Sequence, residues 1–303
     1  MKMPRRRLLR LIGLLFIAAA ACLAYSYFIE PHRLVVRNTE IRVKGLDRTL
    51  DGLRITVISD IHAGSNAVDH AYIENLVQTV NAQNADLIVI LGDFVAQTHS
   101  AEPAGRRALR MPVDEIGKAL SGLHANIGVF AVLGNHDGWY SDDEVAAALS
   151  RNGIRVLQNE IAAVQYNGTA FRLLGLRDHM HIKTWSRWNT DIEKVVTEAG
   201  GSGDLIVLEH SPDVLPIMAG SPLLSSQMRL FLAGHTHGGQ VWLPILGRPM
   251  IPSSYGQKFA YGHIREKGID MFVTGGVGTS ILPFRFMVPP EIVVLTLRPE
   301  QSV

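Results

Sequence analysis

The chain has 303 residues, 47% of them apolar, with a formal net charge of +1. That apolar fraction supports a well-buried core and excludes a largely disordered chain. The near-zero charge excludes a global field that would attract nucleic acid, so an anionic substrate must be held by local charge or by metal ions.

The N-terminus opens with Arg5, Arg6, Arg7 and Arg10, followed by an uncharged apolar run from Leu11 to Ile29. A membrane span needs roughly 20 apolar residues, so residues 1–30 are expected to form an uncleaved anchor, with a cleaved signal peptide as the alternative. Arg5-Arg6-Arg7-Leu8-Leu9-Arg10 resembles a twin-arginine export signal, and Ala19-Ala20-Ala21-Cys22 weakly resembles a lipoprotein cleavage box. The basic cluster before the span favours a cytoplasmic N-terminus and an extracytoplasmic remainder, while Arg33, Arg37 and Arg42 weigh the other way. Cys22 is the single cysteine, so no intrachain disulfide can form.

Residues 31–50 read as a linker running into a first strand with alternating Ile41, Val43 and Leu46. From there apolar strands alternate with amphipathic helices, which argues for α/β layers. Strands are expected at 53–59, 86–91 and 128–133, and helices at 68–81, 113–123 and 141–150, the last with Ser141 as N-cap. The second half is richer in strands, at 162–166, 171–176, 205–208, 230–233, 271–274 and 292–297, with a helix at 191–199. Residues 96–110 and 178–188 read as loops.

The chemistry-bearing residues cluster directly after the apolar runs. Asp60 and His62 come after LRITVIS, Asp93 after DLIVILG, and Asn135 and His136 after GVFAVLG. His210 comes after DLIVLE, and His235 and His237 after RLFLAG. Polar groups at strand carboxyl ends converge on one sheet edge, where open α/β folds bind ligands. Carboxylate, imidazole and amide oxygen suit borderline and hard metals, and seven such groups exceed what one tetrahedral ion needs. Two ions sharing a bridging carboxylate, roughly 3.5–4 Å apart, would use them all.

Taken singly, each residue has a plainer explanation as a turn, a cap or a hydrogen-bonded loop residue. Asp137 reads as an N-cap, or as a residue orienting His136 or a ligand from behind. Arg177 and Arg285 are possible phosphate contacts, and Gly275, Gly276 and Gly278 either make turns or allow close backbone approach. His32, His70, His99, His124 and His263 fit no ligand pattern.

Asp60-Ile61-His62-Ala63-Gly64, Gly92-Asp93, Gly134-Asn135-His136-Asp137, His210 and Gly234-His235-Thr236-His237, in that order, resemble the calcineurin-like metallophosphoesterase superfamily. Leu208-Glu209-His210-Ser211-Pro212-Asp213, His237-Gly238-Gly239-Gln240 and Gly278-Thr279-Ser280 resemble its membrane-associated bacterial subgroup. The resemblance implies an α/β fold, a four-layer α-β-β-α sandwich of two mixed sheets, with residues 51–303 as the catalytic domain behind a transmembrane helix. It implies that Asp60, His62 and His237 hold one metal ion, that Asn135, His210 and His235 hold the other, and that Asp93 bridges both. The ions would be divalent or trivalent, with Mn, Fe or Zn favoured. His136 would be the catalytic acid, and hydroxide from a shared water the nucleophile.

Protein phosphatases of this superfamily carry an Asp-Arg pair where this chain has Ala96 and Gln97, and Glu where it has Asp137. The expected substrate is therefore a phosphodiester, a pyrophosphate or a small phosphomonoester rather than a phosphoprotein. A lipid-linked molecule such as UDP-2,3-diacylglucosamine is one candidate, acted on at a bacterial inner membrane. The alternatives are an exported phosphodiesterase for envelope polymers or nucleotides, and a non-catalytic metal-binding scaffold. No basic stripe predicts specific nucleic-acid binding.

Overall fold

The computed structural model describes residues 4–101, 107–200 and 203–300. Two six-stranded sheets pack face to face. The first runs in the order Val35–Val43, Glu291–Pro299, Arg54–Ile58, Leu87–Leu91, Gly128–Val132, Arg155–Val156. The second runs Gly262–Glu266, Ile269–Val273, Met228–Ala233, Leu205–Leu208, Thr169–Gly175, Glu160–Tyr166. Both are mixed: Arg54–Ile58, Leu87–Leu91 and Gly128–Val132 are mutually parallel, while Glu291–Pro299 runs antiparallel to Arg54–Ile58.

Strand side chains alternate between two cores, and both faces of each central strand are covered. Leu87, Val89 and Leu91 meet Ile206, Leu208, Leu230 and Leu232 between the sheets. Ile88 and Ile90 face the opposite way, onto helices His70–Asn81 and Val113–Leu120. Leu205, Val207 and Phe231 point out against Trp188, Ile192 and Val196 of helix Trp185–Ala199. This is the expected four-layer α-β-β-α sandwich. It explains why the strand LIVIL is apolar throughout instead of alternating.

Several expectations need correction. Helix Trp185–Ala199 begins six residues before the expected Asp191, because Trp188, Ile192 and Val196 share one buried stripe. The expected loop at 96–110 contains an antiparallel hairpin, Gln97–Ala101 with Arg107–Leu109; its residues 102–106 and the side chain of His99 lie outside the described residues. The expected first strand starts early and stops short of Leu46: Val35–Val43 pairs over its whole length with Glu291–Pro299.

Helix Arg5–Phe28 has 24 residues, or about 36 Å at ~1.5 Å per residue, against a bilayer core of ~30 Å. By length and composition it can cross a membrane. Among its residues only Ser26 is buried, where its last turn meets the globular domain.

Candidate metal centre

All seven expected ligands lie just beyond strand carboxyl ends, on the edge the two sheets share. Asp60 and His62 follow Arg54–Ile58, Asp93 follows Leu87–Leu91, Asn135 follows Gly128–Val132, His210 follows Leu205–Leu208, and His235 and His237 follow Met228–Ala233. Five of them sit in the left-handed region, with φ of 52° at Asp60, 44° at His62, 55° at Asp93, 68° at His235 and 51° at His237. Asp and His tolerate that conformation better than most residues, yet it still costs of order 1–3 kcal/mol at each position and collects at functional sites. The tight packing around them holds it in place. At Gly276 a Cβ would come within 2.8 Å of the Asp60 Cβ, which resolves the glycine question there in favour of close approach.

The side chains converge. Asp93 Oδ2 lies 3.5 Å from His62 Nε2 and 3.3 Å from His210 Nε2. His62 Nε2 faces His237 Nε2 at 3.1 Å, and His235 Nδ1 faces His210 Nε2 at 3.1 Å. His237 Nε2 is 3.3 Å from Asp60 Oδ1. Asp60, His62 and His237 thus form one group able to hold an ion. Asp60, Asp93 and His210 form a second such group, and His210 in turn faces His235.

The far sides of two rings are fixed by backbone: His62 Nδ1 is 3.2 Å from Val95 O, and His210 Nδ1 is 2.7 Å from Leu91 O. Donation of each Nδ1–H to its carbonyl leaves the Nε2 lone pair facing the centre, the arrangement a metal ligand needs. Burial pushes His62 down to about 3 and His235 down to about 4, and holds His237 well below its ordinary value. Neutral imidazole is the ligating form. His210 differs: burial alone would lower it, but the Asp93 carboxylate beside its Nε2 raises it well above the ordinary imidazole value, so a cation bound there must displace a proton shared with Asp93. Burial also pushes Asp60 up to about 6, the mark of a carboxylate short of compensating charge.

The residues fit a pair of cations. Asp60 Oδ1 and Asn135 Oδ1 are buried with no hydrogen-bond partner, and the Nε2 atoms of His62 and His237 face one another at 3.1 Å with both rings held neutral by burial. Buried polar atoms left this way normally have an unseen partner.

His136 lies against the same cluster, close enough to His62 and Asp93 for the three to form a further candidate ion-holding group. Its backbone N–H donates to Asp93 Oδ1 at 2.8 Å, and its ring packs edge-on to His62 with centroids 4.7 Å apart. Nδ1 is 2.6 Å from Gln97 Oε1 and Nε2 is 3.3 Å from Ser280 Oγ. Asp137 is not an N-cap. It lies in the first turn of helix Asn135–Tyr140, and its buried carboxylate accepts from Gly134 N at 2.9 Å, Phe94 N at 2.9 Å and Val95 N at 3.1 Å. It therefore ties the loop after Asp93 to the turn before Asn135, and acts on His136 only through backbone.

Other sequence suggestions fall away. Arg285 is fully buried and donates to the carbonyls of Gly275, Gly278 and Val288, so it is a structural clamp and not a phosphate contact. Arg177 pairs with Asp142 at 2.9 Å. His70 and His263 pair with Glu115 and Asp270, away from the centre. Sequence reasoning missed Gln97 and Ser280 as partners of His136. Gln97 appeared only as a departure from the phosphatase pattern, and its contact spans 39 positions. Within the expected loop 178–188, the His179 ring lies 5.8 Å from that of His235.

Comparison with known proteins agrees with this geometry. The sequence model of the calcineurin-like phosphoesterase family matches residues 53–239, a stretch that holds every expected ligand from Asp60 to His237. An uncharacterized metallophosphoesterase of Bacillus subtilis, YkuE, is 29% identical, with 98% of each chain covered. Phosphodiesterase YaeI of Escherichia coli is 26% identical over 93% of this chain and 94% of its own. A zebrafish (Danio rerio) transmembrane protein with a metallophosphoesterase domain is 28% identical over 95% of this chain, which spans 62% of that protein's length. Matching blocks, matching fold and a converging ligand set all lead to one conclusion: the chain belongs to the calcineurin-like phosphoesterase family and is a metal-dependent phosphoester hydrolase.

Proposed function

We propose that the centre holds two metal ions and hydrolyses a phosphodiester or pyrophosphate borne by a membrane lipid. Asp60, His62 and His237 would hold one ion and Asn135, His210 and His235 the other, with Asp93 shared between them. The observation that carries this is the single Asp93 oxygen, 3.5 Å from His62 and 3.3 Å from His210, lying between the two ligand groups. When bound, such a pair neutralises phosphoryl oxygens and activates water.

The chain's own residues supply the rest. The His62 and His210 rings, fixed from behind by Val95 O and Leu91 O, hold their ligand atoms in place before substrate arrives. Gln97 Oε1 accepts the Nδ1–H of His136, which directs Nε2 toward Ser280 and the open side of the centre. Nε2 is then the atom that passes a proton to the departing oxygen, a contribution of typically ~10²–10⁴-fold. Ala96 and Gln97 remove the charged pair found in protein phosphatases, which supports a substrate other than a phosphoprotein.

Helix Arg5–Phe28 is read as a single membrane span of a bacterial inner membrane, with residues 51–303 as the catalytic domain and the extracytoplasmic side favoured by the leading arginines. The test is hydrolysis of bis-p-nitrophenyl phosphate by the detergent-purified full chain, with and without Mn²⁺, beside Asp93→Asn and His136→Ala. Metal-dependent turnover that Asp93→Asn abolishes is expected. Turnover unchanged by Asp93→Asn overturns the bridged pair. A topology reporter fused after Val303 decides the side, and a periplasmic result removes UDP-2,3-diacylglucosamine as substrate.

A further inference from the structure

The geometry points to a second membrane contact: the tips of segments 242–247 and 280–287 dip into the same lipid leaflet from which helix Arg5–Phe28 emerges, so that the metal centre opens onto the membrane surface. This rests on the reading of that helix as a membrane span.

The helix end is fixed to the domain, not tethered by a loose chain. Arg285 N donates to Ser26 O at 3.0 Å. Asn66 Nδ2 donates both to Tyr27 O at 2.9 Å and to Pro283 O at 2.7 Å. The last turn of the span therefore sits directly on segment 280–287, and lipid around that turn must lie beside the segment.

Segment 280–287 also reaches the site. Ser280 Oγ is 3.3 Å from His136 Nε2, and the next residue, Ile281, is 86% exposed. Gln240 clamps the segment to the other tip: its Nε2 donates to Leu282 O and Phe284 O, its Oε1 accepts from Ser280 N, and Trp242 N donates to Phe286 O at 2.9 Å. From Trp242 the chain makes a tight hairpin closed by two hydrogen bonds between Leu243 and Gly247, with Ile245 fully exposed and Leu246 69% exposed at its tip.

Water alone gives no reason for these choices. Ile245 and Ile281 both hold left-handed backbone, φ 77° and 61°. A β-branched residue there is a strained outlier, and exposing its side chain to water recovers nothing. Burying the same side chains in acyl chains recovers their transfer energy, as for other interfacial anchors. The substrate class follows: a phosphoester at headgroup depth on a lipid, presented sideways to His136 and the ligand cluster, instead of a soluble one that must diffuse under the edge.

The test uses the full chain in phosphatidylethanolamine–phosphatidylglycerol vesicles doped with doxyl-labelled lipid, with an environment-sensitive fluorophore on single cysteines. Native Cys22 labels the span. Ile245→Cys, Ile281→Cys and the control Asn167→Cys, in the turn at the opposite strand ends, are made with Cys22→Ser. The expected result is a blue shift and loss of most emission at 22, 245 and 281, and neither at 167. Quenching at 22 with unquenched probes at 245 and 281 overturns the second contact and leaves the span intact. No quenching at 22 overturns the span itself. A shift at 245 in detergent that grows with protein concentration assigns the edge to a second copy and also overturns the proposal. Turnover of bis-p-nitrophenyl phosphate by each labelled protein confirms folding and reads the metal centre independently.

Discussion

Gln97 grips His136 at both ends of one residue: its Oε1 meets Nδ1 at 2.6 Å, and its Nε2 donates to the backbone carbonyl of the same histidine at 2.6 Å. A carboxylate in this position could satisfy only the ring. The amide satisfies both groups and adds no charge beside Asp93.

Gln97→Ala should therefore free the His136 ring without removing any ligand. With p-nitrophenol, a leaving group that departs unaided, turnover should change little. With an alkyl leaving group it should fall by about 10–100-fold, part of the full general-acid contribution. The slope of log kcat against leaving-group pKa for Gln97→Ala and wild type decides this. Parallel slopes would show that Gln97 only shapes the loop.

Asp137 is a structural post whose loss should be felt at the metals. Its carboxylate takes three buried N–H groups, and each orphaned donor costs about 1–3 kcal/mol. Asp137→Ala should lower unfolding free energy by about 3 kcal/mol or more, and weaken metal binding by about 10–100-fold by releasing Asp93 and Asn135. Denaturant titration and metal titration measure the two effects separately.

Asp270 gives a stability signal far from the chemistry. Its buried carboxylate accepts from Lys44 N at 2.8 Å, His263 Nε2 at 2.8 Å and Arg265 Nε at 2.9 Å. Burial alone would raise its pKa, but the hydrogen bonds from His263 and Arg265 outweigh burial and hold it below the usual carboxylate range. A carboxyl depressed in the fold stabilises above its unfolded pKa of ~3.9, and that stability is lost as pH falls through the folded value. Asp270→Asn should thus cost about 1–2 kcal/mol at neutral pH, and the gap to wild type should narrow below pH ~4. A gap that stays constant to the acid limit would place the role in packing.

Much of this was legible because the two layers of information coincide. The runs LRITVIS, DLIVILG, GVFAVLG and RLFLAG are apolar enough to be central strands, and each ends on the residues that do chemistry. What escaped depends on contacts between distant positions. Arg285 looks like a surface cation until its guanidinium is seen enclosed by three carbonyls. The edge strand Gly262–Glu266 carries His263, Arg265 and Glu266, a polar sequence with no strand signature, and is held by its pairing with Ile269–Val273. The early turn of helix Trp185–Ala199 escaped because residues 178–188 read as a loop, although Trp188 begins the buried stripe.

Gly134 separates the demands of the fold from those of the site. Its backbone is extended, so any residue could adopt it, but a Cβ there would collide with the Asp93 carboxylate and approach His210 Cε1 to 2.8 Å. Gly153 is the converse, with φ 82° and nothing near its absent Cβ. Gly153→Ala should cost about 1 kcal/mol of stability through its backbone and leave metal affinity unchanged. Gly134→Ala should displace the bridging carboxylate, and so lose at least about tenfold in metal affinity, the range seen when ligand orientation is disturbed. Calorimetric metal titration beside thermal unfolding of the metal-free proteins separates the two. Equal metal affinity in Gly134→Ala and wild type would mean that Asp93 is free to move, and that its place between His62 and His210 is not imposed by the backbone behind it.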